Sequence, residues 1–194
     1  MTAVLIGYVL GSISFSYLIA KWKAGIDIRE HGSGNAGATN TLRVLGRGPG
    51  ILVLFLDAIK GIVAILIVSG LLHGDEAQLA AAGFGAILGH NWPVFFGFRG
   101  GKGVATTIGV MAVISFYPFL ISVLITILII YFTRYVSLGS LVFFILMPII
   151  MYLKADPTAF VIMAILVGII GIIRHSANIK RLIKGTESKL GQKK

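Results

Sequence analysis

Long uncharged apolar runs decide what this chain can become. Residues 3–20 hold no charged side chain, and apolar stretches recur at about 51–72, where Asp57 and Lys60 are the exceptions, and at 77–94, 119–133, 136–153 and 157–173. A helix that crosses a bilayer needs about 20 such residues. The chain is 57% hydrophobic and 12% charged, against about 25% charged in soluble domains. One soluble core of 194 residues could not hide that much apolar surface. Disorder is excluded by the same apolar content. The expected fold is therefore all-α: a polytopic integral membrane protein of about seven transmembrane helices. One of them, residues 103–116, is short, and five full spans is the lower count. Pro118 is expected to break the apolar run after Phe116.

No Lys or Arg precedes the first run, so it lacks the basic start of a signal peptide and reads as an uncleaved helix. Orientation follows from basic residues in short loops. With the N-terminus outside, the inner loops hold Lys21, Lys23, Arg29, Arg43, Arg47, Arg99, Lys102 and Arg134, and the tail 174–194 is also inner. The outer loops hold only Lys154, beside Asp75, Glu76 and Asp156. The C-terminus is then cytoplasmic. The formal charge of +10 is mostly this topological bias, with attraction to anionic lipid or substrate added. Nucleic acid is not an expected partner. Residues 1–194 read as a single transmembrane domain. Residues 174–194 form a basic tail in which Ile179, Leu182 and Ile183 oppose Lys180, Arg181 and Lys184, as on an interfacial helix.

Polar residues concentrate on that inner side. One cluster is Gly32-Ser-Gly-Asn-Ala-Gly-Ala-Thr-Asn40 with Arg43. A second runs from His90-Asn-Trp-Pro93 to Arg99-Gly-Gly-Lys102-Gly103. The third is Arg174-His-Ser-Ala-Asn178, and Ser137-Leu-Gly-Ser140 is a smaller fourth. Gly32 to Gly37 matches a dinucleotide fingerprint, but a transmembrane helix stands where that motif needs a strand. Gly101-Lys102 is no nucleotide P-loop, because Gly103 replaces the Ser or Thr and Phe96 the first Gly. The physics of a phosphate cradle still applies. Gly97, Gly100, Gly101 and Gly103 bare the backbone amides, Arg99 and Lys102 add charge, and a helix follows. Gly32 to Gly37 reads the same way, more weakly.

Asp57 and Lys60 lie three apart inside an apolar span and can pair. Either they tie two helices together, or Lys60 faces a water-filled cleft. His90 and His175 end spans on the inner side, each near an Asn; His31 and His73 read as surface residues. Small residues at Gly7, Gly11, Gly83 and Gly85 suit close helix crossings. There is no cysteine and no metal-binding spacing, so no metal or cofactor is expected.

These motifs cover the chain in order, and they resemble the bacterial acyl-phosphate:glycerol-3-phosphate acyltransferases, the PlsY family. The matching residues are Gly11-Ser12, Ser16-Tyr17, His31 to Asn40 with Arg43, Asp57 with Lys60-Gly61, Gly89 to Pro93, Phe98 to Ala105, and Arg174-His175 through Asn178, Arg181 and Gly185-Thr-Glu187. The resemblance implies an enzyme of phospholipid synthesis in the bacterial cytoplasmic membrane. Such an enzyme moves an acyl group from acyl phosphate to the sn-1 hydroxyl of glycerol 3-phosphate, giving lysophosphatidic acid and phosphate. It also implies catalytic roles in the first and third clusters and glycerol-phosphate binding in the second.

With that chemistry, the expected catalytic residues are His175, Asn178, Ser33 and Arg43. The expected substrate contacts are Asn35, Gly37, Lys60, His90, Gly97, Arg99, Gly100, Gly101, Lys102, Gly103 and Ser140. An acyl phosphate is already activated, so direct attack needs no acyl-enzyme. Arg43, Lys102 and Lys60 would clamp phosphates, and His175, His90 or a substrate phosphate would take the proton. None of the four His has an Asp five positions on, which removes the His–Asp dyad of the other large acyltransferase class. A transporter or flippase for an organic phosphate is the alternative reading. The sequence does not specify oligomeric state.

Overall fold

A computed structural model describes residues 1–192; the expected solvated end, Lys193 and Lys194, lies outside the described residues. All regular elements among them are helical: α1 (Thr2–Gly11), α2 (Phe15–Ala24), α3 (Ala38–Leu45), α4 (Arg47–Leu72), α5 (Glu76–Asn91), α6 (Val104–Ile114), α7 (Phe116–Thr133), α8 (Val136–Leu153), α9 (Thr158–Arg174) and α10 (Ser176–Ile183). The seven expected apolar segments are all helical. Four spans are long and apolar enough to cross a membrane: Thr2–Ala24, α4, α7 and α8. A fifth appears if α9 and α10, bent by 58°, count as one. Helix α5 has 16 residues and α6 has 11.

Two local differences from the sequence expectation have physical causes. The first span is broken at Ser12–Ser14, where the Ser12 hydroxyl donates back to the Tyr8 carbonyl at 2.7 Å and Ser14 leaves helical geometry. Hydroxyls that compete for backbone partners weaken a helix in this way. The break after α6 falls at Ser115, and Pro118 sits in the first turn of α7. A proline there costs nothing, since the amide it lacks would have no helical acceptor.

The chain divides into two compact units, Met1–Ile114 and a second beginning at Ser115. In the first, α1 lies against α5 with almost no space between backbones. A Cβ added at Gly7 or Gly11 would lie 2.0 Å from the carbonyl oxygen of Ala82 or Ala86. One added at Gly85 or Gly89 would lie 2.2 Å from that of Val4 or Tyr8. Only glycine permits such an approach, which is how helices associate where burial from water supplies no drive. The Tyr8 hydroxyl then donates to the Trp92 carbonyl at 2.9 Å. Asp75 and Gln78 close a reciprocal capping box at the start of α5.

In the second unit α8 packs on α7 and α9. The Thr126 hydroxyl donates to the Gly139 carbonyl at 3.3 Å. Ser115 donates to the Asp156 carboxylate, which also pairs with Lys154. Among the described residues beyond α9 the tail is helical in α10, and Leu190 lies back against the end of α7. Arg134, read from sequence as a boundary residue, ends α7, and its guanidinium donates to the Leu190 carbonyl at 2.9 Å. Its own carbonyl accepts from the Leu190 amide at 2.7 Å.

Candidate active site

The first unit brings the two glycine-rich loops together. Asn40, buried on α3, shapes the loop before it. Its amide nitrogen donates to the Ile28 and His31 carbonyls at 3.1 and 2.9 Å, and its oxygen accepts from the Ser33 amide at 2.8 Å. Ser33 and Arg43 stand exposed, Asn35 is half-buried and Gly37 is buried at the N-cap of α3. Arg29 then joins this loop to the second. It grips Asp27 through Nε and Nη2, the latter at 2.7 Å, and Nη1 donates to the Phe96 carbonyl, also at 2.7 Å. The hydrogen bonds from the Arg29 guanidinium outweigh burial and hold the Asp27 carboxyl at about 2. Tyr17 packs under this clasp, 4.9 Å from the guanidinium and 5.0 Å from the Phe96 ring.

The second loop is pinned at its glycines. The Gly101 amide donates to the His90 carbonyl at 3.0 Å. A Cβ at Gly101 would lie 2.0 Å from His90 Nε2 and 2.7 Å from the Ala36 carbonyl oxygen, so this glycine is held between the two loops. Gly100 is equally confined, 2.1 Å from the His90 carbonyl oxygen by the same measure. Gly97 and Arg99 are exposed and Lys102 is half-buried, while Gly103 lies buried immediately before α6. Lys60 does not stand in the open. Its ammonium pairs with Asp57 at 2.8 Å and donates to the Ile13 carbonyl at 2.7 Å.

The second unit carries the remaining residues. His175 is buried at the α9–α10 bend, its Nδ1 2.8 Å from the Gly171 carbonyl oxygen. A carbonyl can only accept, so Nδ1 bears the proton in the neutral ring and Nε2 is the basic nitrogen. Asn178, one turn into α10, donates to Glu187 at 2.6 Å. Glu187 also accepts from Ser137 at 2.7 Å and from Arg181 at 2.6 Å. Burial raises the Glu187 carboxyl, but the three donors outweigh it and leave it below its ordinary value. Ser140 turns its hydroxyl to the Val136 carbonyl of its own helix.

Four participants were not singled out as site residues from sequence. Asp27 and Arg29 look like ordinary surface charges until their loop closes. Asn40 and Glu187 lie inside motifs but carry no local sign of what they bind. Only the Asp75–Gln78 cap had a readable pattern, an Asp followed three residues later by Gln.

Apolar helices bearing these polar loops define an integral membrane protein. Residues 1–185 match the glycerol-3-phosphate acyltransferase family. The glycerol-3-phosphate acyltransferase of Shouchella clausii (strain KSM-K16) is 54% identical over 198 residues, covering 100% of this chain and 97% of that protein. That of Halalkalibacterium halodurans is 53% identical over 192 residues, covering 96% and 93%. The crystal structure of PlsY (YgiH), an integral membrane glycerol 3-phosphate acyltransferase, in its glycerol 3-phosphate form superposes with a TM-score of 0.92 at 44% identity, over 98% of this chain and 94% of that one. Its lysophosphatidic acid form gives 0.90 at 43%, with the same coverage. The chain belongs to the glycerol-3-phosphate acyltransferase family.

Proposed function

We propose that this protein transfers an acyl group from acyl phosphate to the sn-1 hydroxyl of glycerol 3-phosphate, in a bacterial cytoplasmic membrane, with its polar loops facing the cytoplasm. The observation that carries this reading is likeness over the whole chain to a structure solved in glycerol 3-phosphate and lysophosphatidic acid forms. The substrate hydroxyl oxygen forms a bond to the acyl carbon. The bond from that carbon to the phosphate oxygen breaks, and inorganic phosphate leaves with the electron pair. Exposed Arg43 and Arg99, together with Lys102, suit anionic reactants. Ser33, Asn35, Gly37 and the glycine loop of Gly97, Gly100, Gly101 and Gly103 orient them, Gly101 as a close-packed backbone surface because its own amide is bonded to the His90 carbonyl. Asn178 and Ser140 are further proposed contacts for the reactants. Membrane lipid receives the product.

The Nδ1–H of His175, committed to Gly171, favours Nε2 as the proton acceptor. His90 and a substrate phosphate are the other two candidates. Purified protein given labelled acyl phosphate and glycerol 3-phosphate is expected to form labelled lysophosphatidate. Vesicle uptake of glycerol 3-phosphate without product would instead support the transporter. The His175→Ala variant is expected to lose about 10²- to 10⁴-fold in kcat and to flatten the pH–rate profile. Retention of both turnover and its pH dependence would make His175 a substrate-positioning group.

The bias of basic residues supports an outside N-terminus. Since the chain has no cysteine, Glu76→Cys and Trp22→Cys give clean labelling sites. An impermeant maleimide on intact cells should reach position 76 and not position 22. The reverse pattern would invert the topology.

A further inference from the structure

Beyond Arg47 at its first position, helix α4 carries two ionisable side chains in an otherwise apolar span, and both are buried: Asp57 is 1% exposed and Lys60 4%. Charges at such positions are costly, and a Leu–Met pair would fill the space without that cost. What they touch explains their presence. The break between α1 and α2 leaves the Ile13 carbonyl outside the helix ladder, and Lys60 Nζ donates to it at 2.7 Å, lying 5.8 Å from the centre of the Phe15 ring. Asp57 balances that ammonium at 2.8 Å. The same carboxylate oxygen lies 3.5 Å from His90 Nδ1. With Nδ1 turned to Asp57, the other ring nitrogen, Nε2, is turned to Gly101, so close that a Cβ there would be 2.0 Å away. Gly101 is in turn bonded to the His90 carbonyl. The path from Ile13 through Lys60, Asp57 and His90 to the glycine loop lies within one compact unit.

We propose that Asp57 is a positioning residue for the glycine loop: by holding Lys60 and fixing the His90 ring, it sets the height of Gly101 and so the spacing of the loop amides. Lys60 then serves the substrate through the loop, without touching it, and the His90 ring carries the positioning from Asp57 to that loop. This rests on the reading that residues 97–103 bind glycerol 3-phosphate. Removing the carboxylate takes away the ring's contact with α4, and the loop follows the ring.

The test is steady-state kinetics on the full chain in micelles, with each substrate varied in turn. Asp57→Asn strands the Lys60 charge and endangers folding, so the neutral double variant Asp57→Asn/Lys60→Gln is the main probe, with Asp57→Glu as the conservative rescue. In the folded double variant the KM for glycerol 3-phosphate should rise about 10- to 100-fold. The KM for acyl phosphate should stay within about twofold, and Asp57→Glu should recover part of the loss. The ¹⁵N signals of the His90 imidazole, assigned with His90→Gln, should shift in the double variant. An unchanged KM for glycerol 3-phosphate overturns the proposal. So does a uniform loss of activity that only tracks the folded fraction. Lys102→Ala is the control for the underlying reading. If it leaves that KM unchanged, the loop does not bind glycerol 3-phosphate. If Lys102→Ala raises the KM and the Asp57 variants do not, the positioning role alone falls.

Discussion

Gly101→Ala is expected to abolish useful turnover at physiological glycerol 3-phosphate, raising its KM by at least about 100-fold. The methyl group would meet His90 Nε2 at 2.0 Å on one side and the Ala36 carbonyl oxygen at 2.7 Å on the other. Neither is the tip of a flexible side chain. The imidazole is buried, 3.5 Å from Asp57, and the carbonyl belongs to the other glycine loop. The loop itself must therefore rise, by about 1 Å or more, and a displacement of that size costs about 100-fold in a positioned reaction. A thermal melt of the same sample separates this from unfolding, because the helix crossings of Gly7, Gly11, Gly85 and Gly89 are untouched. A wild-type KM at a wild-type melting temperature would mean that the loop has slack the geometry does not display.

Glu187→Ala should produce the second large effect, this time on stability as well as rate. The carboxylate gathers Ser137, Asn178 and Arg181, and the first two are buried. Its removal takes an acceptor from a buried hydroxyl and a buried amide, and a solvent-screened ion pair from the half-exposed Arg181, a cost of about 2–4 kcal/mol. Calorimetry or a detergent melt should show the loss, and kcat should fall with it as Asn178 loses its orientation. The pH dependence has a definite sign. The folded-state value of Glu187 lies below its ordinary 4.5. Its stabilisation is therefore complete above that ordinary value and disappears as pH falls through the lower folded-state value. The wild type should lose this increment in acid, and Glu187→Gln should show a flatter acid limb. An acid limb identical in both proteins would remove Glu187 from the account.

Much of the architecture was legible along the chain because periodicity and hydropathy are local properties. Each apolar run became helical, the first as two helices, and the amphipathic 3.6-residue pattern of Ile179, Leu182 and Ile183 announced α10. The small residues Gly7 and Gly11 were recognisable as a crossing face, although their partners proved to be Ala82, Ala86, Gly85 and Gly89. The break at Ser12–Ser14 was not foreseen. Two serines in an apolar run are compatible with an unbroken helix, and what favours the break includes Lys60, 47 residues away, bonding the Ile13 carbonyl. The Asp57–Lys60 pair was visible as an i, i+3 spacing, but both of its alternatives stayed open until its neighbours were known.

The residues alone determined that this polypeptide is helical, lives in lipid and carries cationic glycine loops, since each of these depends on composition and short-range spacing. Tertiary structure alone decided that Asn40 shapes one loop, that Arg29 ties it to the next, that His90 lies beneath Gly101 and that Glu187 gathers α8 and α10. The Arg29–Phe96 and Ser137–Glu187 bonds cross 67 and 50 residues. Even the Asn40 bonds, over 7 to 12, depend on how loops close in space, which leaves no trace in the order of the amino acids on either side.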